Sequence, residues 1–142
     1  MISSTQNERI KYIRSLNRRR VRRREGRFVV EGTRLVDELV RVGLNPAFVL
    51  YTPAWAASPA GQRLLPLLSR AEEGSWAVSE AVLAACAGTK TPQGVLAVAP
   101  FVQRTPQPGL VLILDQLRDP GNLGAILRSA EAAAVGHVIL AP

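Results

Sequence analysis

The stretch DPGNLGAILRSA, from Asp119 to Ala130, places an acid, a proline, an amide and two glycines directly after the apolar run LVLIL (Leu110 to Leu114). A glycine-bearing turn between a buried strand and a helix is where α/β proteins hold phosphates and nucleotides, because the first helical N–H groups have no intrahelical acceptor. The generic forms of that site do not fit. Gly121 and Gly124 are spaced G-x-x-G rather than G-x-G-x-x-G, and no Gly-Lys-Ser/Thr follows. A Pro-Gly turn before an Ala-rich helix would by itself be a turn and nothing more. Two residues resist that reading. Asn122 is a candidate helix cap that also presents an amide beyond the strand's end. Arg128 follows six residues later, close to two turns on, as a lone cation on an otherwise small and apolar helix. A helix that served packing alone would have little need of it.

A second group of candidate residues lies at the N-terminus. Residues 1–27 carry ten Lys/Arg against Glu8 and Glu25, so the excess behind the formal net charge of +7 is concentrated there. The candidates for contact with a polyanion are Arg14, Arg18, Arg19, Arg20, Arg22, Arg23, Arg24 and Arg27. Arginine offers a planar fork that grips phosphate oxygens in pairs, and binding of this kind weakens steeply with salt. A membrane-surface helix would need an apolar face with aromatics, yet after Leu16 only Val21 interrupts the charges. A solvated tail or a nuclear localisation signal would have the same composition. Nucleic acid is the preferred partner, and composition does not separate RNA from DNA.

The rest of the composition excludes several classes. No apolar run approaches the roughly 18 residues of a membrane span, and MISSTQNERIKYIRS has no secretory core. Cys86, the single cysteine, sits in the apolar helical pattern EAVLAACAG and reads as a buried structural thiol. His137 has no carboxylate or cysteine at a ligand spacing, so no metal is expected. The expected location is the cytoplasm.

The positioning elements follow from periodicity. TQNE (Thr5 to Glu8) is a capping-box pattern with Thr5 as cap, and one helix is expected from about Gln6 to Gly26. RFVVEG is a strand. TRLVDELVRVG is a helix capped by Thr33 and stopped by Gly43, and PAFVLYT is a second strand. SPAGQRLLPLLSRAEEG is a helix opened by a Ser-Pro pair and shortened or kinked by Pro66. SWAVS is a third strand, SEAVLAACAG a helix capped by Ser79, TKTPQG a turn and VLAVA a fourth strand. QRTPQPG reads as a linker. A βαβ unit then begins, with strand LVLILD, a helix from about Asn122 to Val135 with Gly136 as C-cap, and strand HVILA, its strands parallel and buried. The expected fold class is α/β. The expected organisation is a basic arm (1–27), a small α/β domain (28–102), a linker (103–109) and a second unit (110–142) that forms only the start of a larger domain.

Asp115 followed by DPGNLGAILRSAEAAAVG, with Asn122, Gly124, Arg128 and Gly136, resembles the first signature motif of the SpoU (TrmH-like) RNA ribose methyltransferases of the SPOUT superfamily. ISSTQNERIKYIRSL, GRFVVEGTRLVDELV and LAACAGTKTPQGVLAV resemble, in order, that family's N-terminal RNA-binding domain, similar in fold to ribosomal proteins that bind kinked RNA. The resemblance implies S-adenosylmethionine as methyl donor and a ribose 2′-hydroxyl of structured RNA, ribosomal by preference, as acceptor. It also implies a trefoil-knotted catalytic domain and a homodimer.

By the same resemblance Arg128 is placed at the reacting hydroxyl. A guanidinium is a poor general base, so the expected role of Arg128 is to grip the target phosphate and stabilise developing alkoxide, with proton removal the bolder alternative. Asn122 would orient the ribose or Arg128. Gly121 and Gly124 would let the RNA backbone approach closely. Glu31 and Gly32 match the RNA-binding domain, with Glu31 structural. The family's cofactor motifs, a Gly-rich loop and a Ser-Leu-Asn segment, are absent here and expected downstream of Pro142. The 142-residue chain is therefore expected to bind RNA without catalysing. The alternative is a non-enzymatic RNA-binding module with a vestigial catalytic segment. A third, weaker reading is a DNA-associated or nucleotide-binding α/β protein.

Overall fold

The computed structural model describes residues 1–89, 91–102 and 105–141. Lys90 in the expected turn, Gln103 and Arg104 in the expected linker, and Pro142 lie outside the described residues. The chain divides into two compact units, Met1–Phe101 and Val102–Pro142.

The first unit runs α1 (Glu8–Ser15), α2 (Arg19–Glu25), β1 (Arg27–Glu31), α3 (Thr33–Arg41), β2 (Phe48–Tyr51), α4 (Pro53–Ala57), α5 (Pro59–Leu68), β3 (Ser75–Ala77), α6 (Glu80–Cys86) and β4 (Val95–Pro100). The four strands form one sheet in the order β1-β4-β2-β3. β4 is antiparallel to β1 and β2, and β3 is parallel to β2. VLAVA can occupy the inner position because it is apolar on both faces, and every residue from Val95 to Ala99 is buried. Its side chains alternate with the strand period of two. Leu96 and Val98 join Phe48 and Leu50 under α1 and α6, while Val95, Ala97 and Ala99 join Val49 under α3, α4 and α5.

The N-terminal segment departs from expectation. It forms two helices rather than one, and α1 is capped by Asn7, whose side chain accepts from the Arg9 N–H at 2.9 Å, rather than by Thr5. Nor is it a separate arm. Ile10, Ile13 and Leu16 are fully buried against the sheet, so α1 belongs to the core of the first unit. Each such side chain contributes about 1.5–3 kcal/mol on burial. The break between the helices is held by Arg22, whose Nη1 donates to the Leu16 carbonyl at 2.9 Å and the Asn17 carbonyl at 2.8 Å. α2 ends, as expected, at Gly26 in the left-handed region with φ 61°.

Three further details differ. α3 is entered through Gly32, with φ 94°, and the Thr33 hydroxyl accepts from the Trp55 indole N–H at 2.9 Å instead of capping the helix. α4 was not expected; Thr52 caps it by accepting from the Trp55 N–H at 3.2 Å. α5 continues past Pro66 to Leu68, because only the one backbone hydrogen bond is forfeited near its end.

The second unit contains β5 (Val111–Leu114), α7 (Pro120–Ala132) and β6 (His137–Leu140). β5 and β6 pair in parallel, with Val111 opposite His137 and Leu114 opposite Leu140. The expected burial is not found, since Val111, Ile113, Ile139 and Leu140 are all exposed. One helix covers one face of a two-stranded sheet and leaves the other bare. Gly136 is not the C-cap, a position taken by Ala133. A Cβ on Gly136 would lie 2.6 Å from the Gln107 carbonyl oxygen and 2.9 Å from that of Pro108. The last residues of the expected linker are thus packed against this glycine, and Gln107 N donates to the Gly136 carbonyl at 3.3 Å.

Candidate functional site

In the second unit the strand-to-helix turn is organised by Asp119. Its carboxylate accepts from the Asn122 N–H at 2.6 Å, so Asp119 caps α7 and Asn122 does not. Pro120 takes the first helical position, where its missing N–H costs nothing. Gly121 has a structural reason to be glycine, since a Cβ there would come within 3.0 Å of the Asp119 Oδ1. With its capping role removed, the Asn122 side chain stands exposed in the first turn of α7.

Arg128 is exposed on the same helix. Helical side chains lean toward the N-terminus, and its guanidinium reaches back over Gly124: a Cβ built there would sit 3.6 Å from Nη1. Among the described residues Arg128 is in no ion pair. The structure thus puts Gly124 beneath Arg128 and holds Gly121 and Asn122 in the Asp119-capped turn. Asp119, the residue that shapes this site, was missed by sequence reasoning. Its signal was present as Asp followed by Pro, the cap-and-first-position pair.

The basic residues of the first unit separate by environment. Arg22 ties α1 to α2. Arg24 pairs with Glu25 at 2.8 Å. Arg27 pairs with Glu73 at 2.8 Å and approaches Glu72 at 3.9 Å. Burial alone would weaken the Arg27 cation, but hydrogen bonds to Glu73 and Tyr12 outweigh it and hold its pKa above the usual value. Arg9 lies over the Trp76 ring, 4.1 Å from its centroid. Arg14, Arg18, Arg19, Arg20 and Arg23 are exposed and make no ion pair among the described residues.

At the opposite ends of β1 and α6, the Glu31 carboxylate accepts from the Gly88 N–H at 2.8 Å and from the Thr89 hydroxyl. The Gln93 side chain accepts from the Thr33 N–H at 3.0 Å. These contacts clasp the loop before β4 to the end of β1, a structural use of Glu31. Among the described residues, no group of three or more His, Cys, Asp or Glu could hold a metal, and no helix is long and apolar enough to cross a membrane.

The family of MRM3-like substrate binding domains matches residues 7–97. An uncharacterized tRNA/rRNA methyltransferase of Synechocystis sp. is 37% identical over 143 residues, which cover 98% of this chain and 52% of that protein. The 23S rRNA (guanosine(2553)-2′-O)-methyltransferase RlmP of Bacillus subtilis is 30% identical, covering 98% of this chain and 53% of its own. Among solved structures, the SpoU methyltransferase AviRb of Streptomyces viridochromogenes, in complex with the cofactor AdoMet, superposes with a TM-score of 0.74 at 25% identity, over 95% of this chain and 53% of that one. The chain spans about half the length of the curated relatives it matches.

Proposed function

The chain belongs to the family of MRM3-like substrate binding domains and its structural neighbours are SpoU/TrmH RNA methyltransferases, and from that premise we propose that it supplies the RNA-binding part and the acceptor side of a ribose 2′-O-methyltransferase. The observation that carries the reading is the pairing of two features in one chain. One is a folded unit whose exposed basic residues suit a phosphate backbone. The other is a capped turn with an exposed amide and, on the same helix, an exposed guanidinium that is in no ion pair among the described residues.

The acceptor chemistry follows from those side chains. A ribose hydroxyl is a weak nucleophile at neutral pH, and its activation needs positioning together with stabilisation of developing negative charge. Arg128 grips the adjacent phosphate and stabilises the forming alkoxide. Asn122 orients the ribose, and Gly121 and Gly124 keep the helix surface low enough for the RNA backbone to approach. The RNA-binding set is drawn from the exposed cations of the α1–α2 segment, Lys11, Arg14, Arg18, Arg19, Arg20 and Arg23.

S-adenosylmethionine is the methyl donor in this reading, supported by the AdoMet complex of the related SpoU enzyme. The described residues do not enclose such a cofactor. Around the capped turn Asn122 and Arg128 are exposed, and the neighbouring strands show Ile113 at 65% and Leu140 at 56% exposure. An adenosyl group needs a concave, largely apolar pocket. No step through the cofactor is therefore assigned to these residues, and the 142-residue chain alone binds RNA without turning over. Ribosomal RNA as the substrate, a homodimeric enzyme and a cytoplasmic location complete the proposal, on the strength of the family resemblance.

The test uses methyl-tritiated S-adenosylmethionine, ribosomal RNA and the complete gene product. Label is expected on a ribose 2′-oxygen. Arg128→Ala is expected to lower kcat by about 10²–10³-fold, the effect of removing one oxyanion donor, with RNA affinity falling only several-fold for the loss of one phosphate contact. Full activity in that variant would remove Arg128 from the site. RNA binding without any methyl transfer by the complete product would favour the non-enzymatic module.

A further inference from the structure

The bend between α1 and α2 carries a groove of about 400 Å³ lined by Lys11, Arg14, Ser15, Asn17 and Arg18. Three of the five lining residues are cations and none is a carboxylate. Lys11 does pair with Glu8 at 2.8 Å, but both side chains are at least half exposed, and an exposed pair of this kind opposes a competing anion only weakly. The C-terminal end of a helix repels anions through its unsatisfied carbonyls. Here the guanidinium of Arg22 occupies the Leu16 and Asn17 carbonyls and cancels that repulsion.

The groove is also held in shape. Ile10, Ile13 and Leu16 anchor α1 to the sheet, and Arg22 fixes the bend, so the backbone needs little ordering and only the exposed side chains settle on binding. No aromatic side chain lines it, which removes base stacking as the mode of recognition. Forked cations beside a hydroxyl and an amide suit phosphate oxygens and a ribose hydroxyl. The volume falls within the range of about 300–1,000 Å³ typical of ligand sites.

We propose that this groove seats the phosphodiester backbone of the bound RNA, held by Lys11, Arg14 and Arg18 with Asn17. Arg22 and Arg27 are framework residues that shape the surface and do not touch RNA. The assignment rests on the RNA-binding reading above and divides a basic segment that its composition leaves uniform.

Fluorescence anisotropy of the 142-residue chain with a fluorescein-labelled RNA hairpin, across a salt series, tests it. The triple variant K11Q/R14Q/R18Q is compared with R19Q/R20Q/R23Q, which removes the same charge from the same segment. All six side chains are exposed, and unchanged thermal melts verify the fold. The groove variant is expected to lose affinity by about 30-fold or more and to flatten the salt slope by about 2–3, as three lost phosphate contacts require. The control variant is expected to lose several-fold less. Equal losses in the two variants, with the unaltered chain binding normally, would overturn the groove while leaving RNA binding intact. Absence of RNA binding by the unaltered chain, or tighter binding to a duplex DNA of the same sequence, would overturn the RNA-binding reading and the groove with it.

Discussion

Cys86 closes the last turn of α6, and burial pushes its thiol up to about 11 against a small opposing pull from Arg14. In the unfolded chain the same thiol ionises near 9. The unfolded state therefore releases its proton first as pH rises, and stability falls through that window and levels off above about 11. Denaturant midpoints taken between pH 7.5 and 10.5 are expected to decline for the native sequence, and to decline less for Cys86→Ala after allowance for its lower starting stability. Alkylation by iodoacetamide at pH 8 is expected to be slow until the chain unfolds, because a buried neutral thiol is neither accessible nor nucleophilic. Rapid labelling of the native chain would show that α6 opens locally. The arginines make the complementary point at the same scale. Arg22, Arg27 and Arg128 share one chemistry, but the first bonds backbone carbonyls, the second pairs with Glu73, and the third stands exposed over Gly124.

The pair α1 and α2 shows how an element can hold both core and interface. Ile13 is fully buried beneath a helix whose other side presents Lys11 and Arg14. Ile13→Ala is expected to destabilise the first unit by about 2–5 kcal/mol, read as a lower melting temperature. RNA affinity is expected to fall only as far as the unfolded fraction grows. A stable chain with lost RNA binding would instead mean that α1 moves as a separate arm. Much of this element level was legible beforehand. Continuous apolar runs such as VLAVA, and serine caps before apolar helices at Ser58 and Ser79, are local signals, and the structure carries both caps. The helix break after Leu16 was not legible, because it depends on Arg22 reaching back to two carbonyls, and nothing in an arginine run marks one member for that task. The capping residue of α7 was misplaced for a related reason. Asp119 and Asn122 are both good caps, and only the backbone decides which of them accepts. At the candidate site, the residue types were therefore readable, while the distinction between Asp119 as framework and Asn122 as exposed amide needed the fold.

Across the whole molecule, the two units differ in how completely each covers its own sheet. β4 is hydrogen-bonded on both edges, to β1 and β2, and Val95–Ala99 are buried on both faces. Such a strand opens only with global unfolding. β5 and β6 make a two-stranded sheet whose residues Val111, Ile113, Ile139 and Leu140 are exposed, and a unit of about 40 residues buries too little surface to be more than marginal in water. Hydrogen exchange followed by mass spectrometry on the 142-residue chain is expected to show β4 amides protected close to the global limit. The amides of β5 and β6 should exchange through local opening at far lower free energy. Addition of RNA should raise protection in α1 and α2, where the basic residues lie, and leave β5 and β6 unchanged. This pattern would mean that RNA capture belongs to the first unit, while the Asn122–Arg128 turn gains rigidity only when further surface covers its bare sheet face. Equal protection of β4 and β5 would show instead that the short sheet is stable as it stands, and that the turn is rigid before any partner or substrate reaches it.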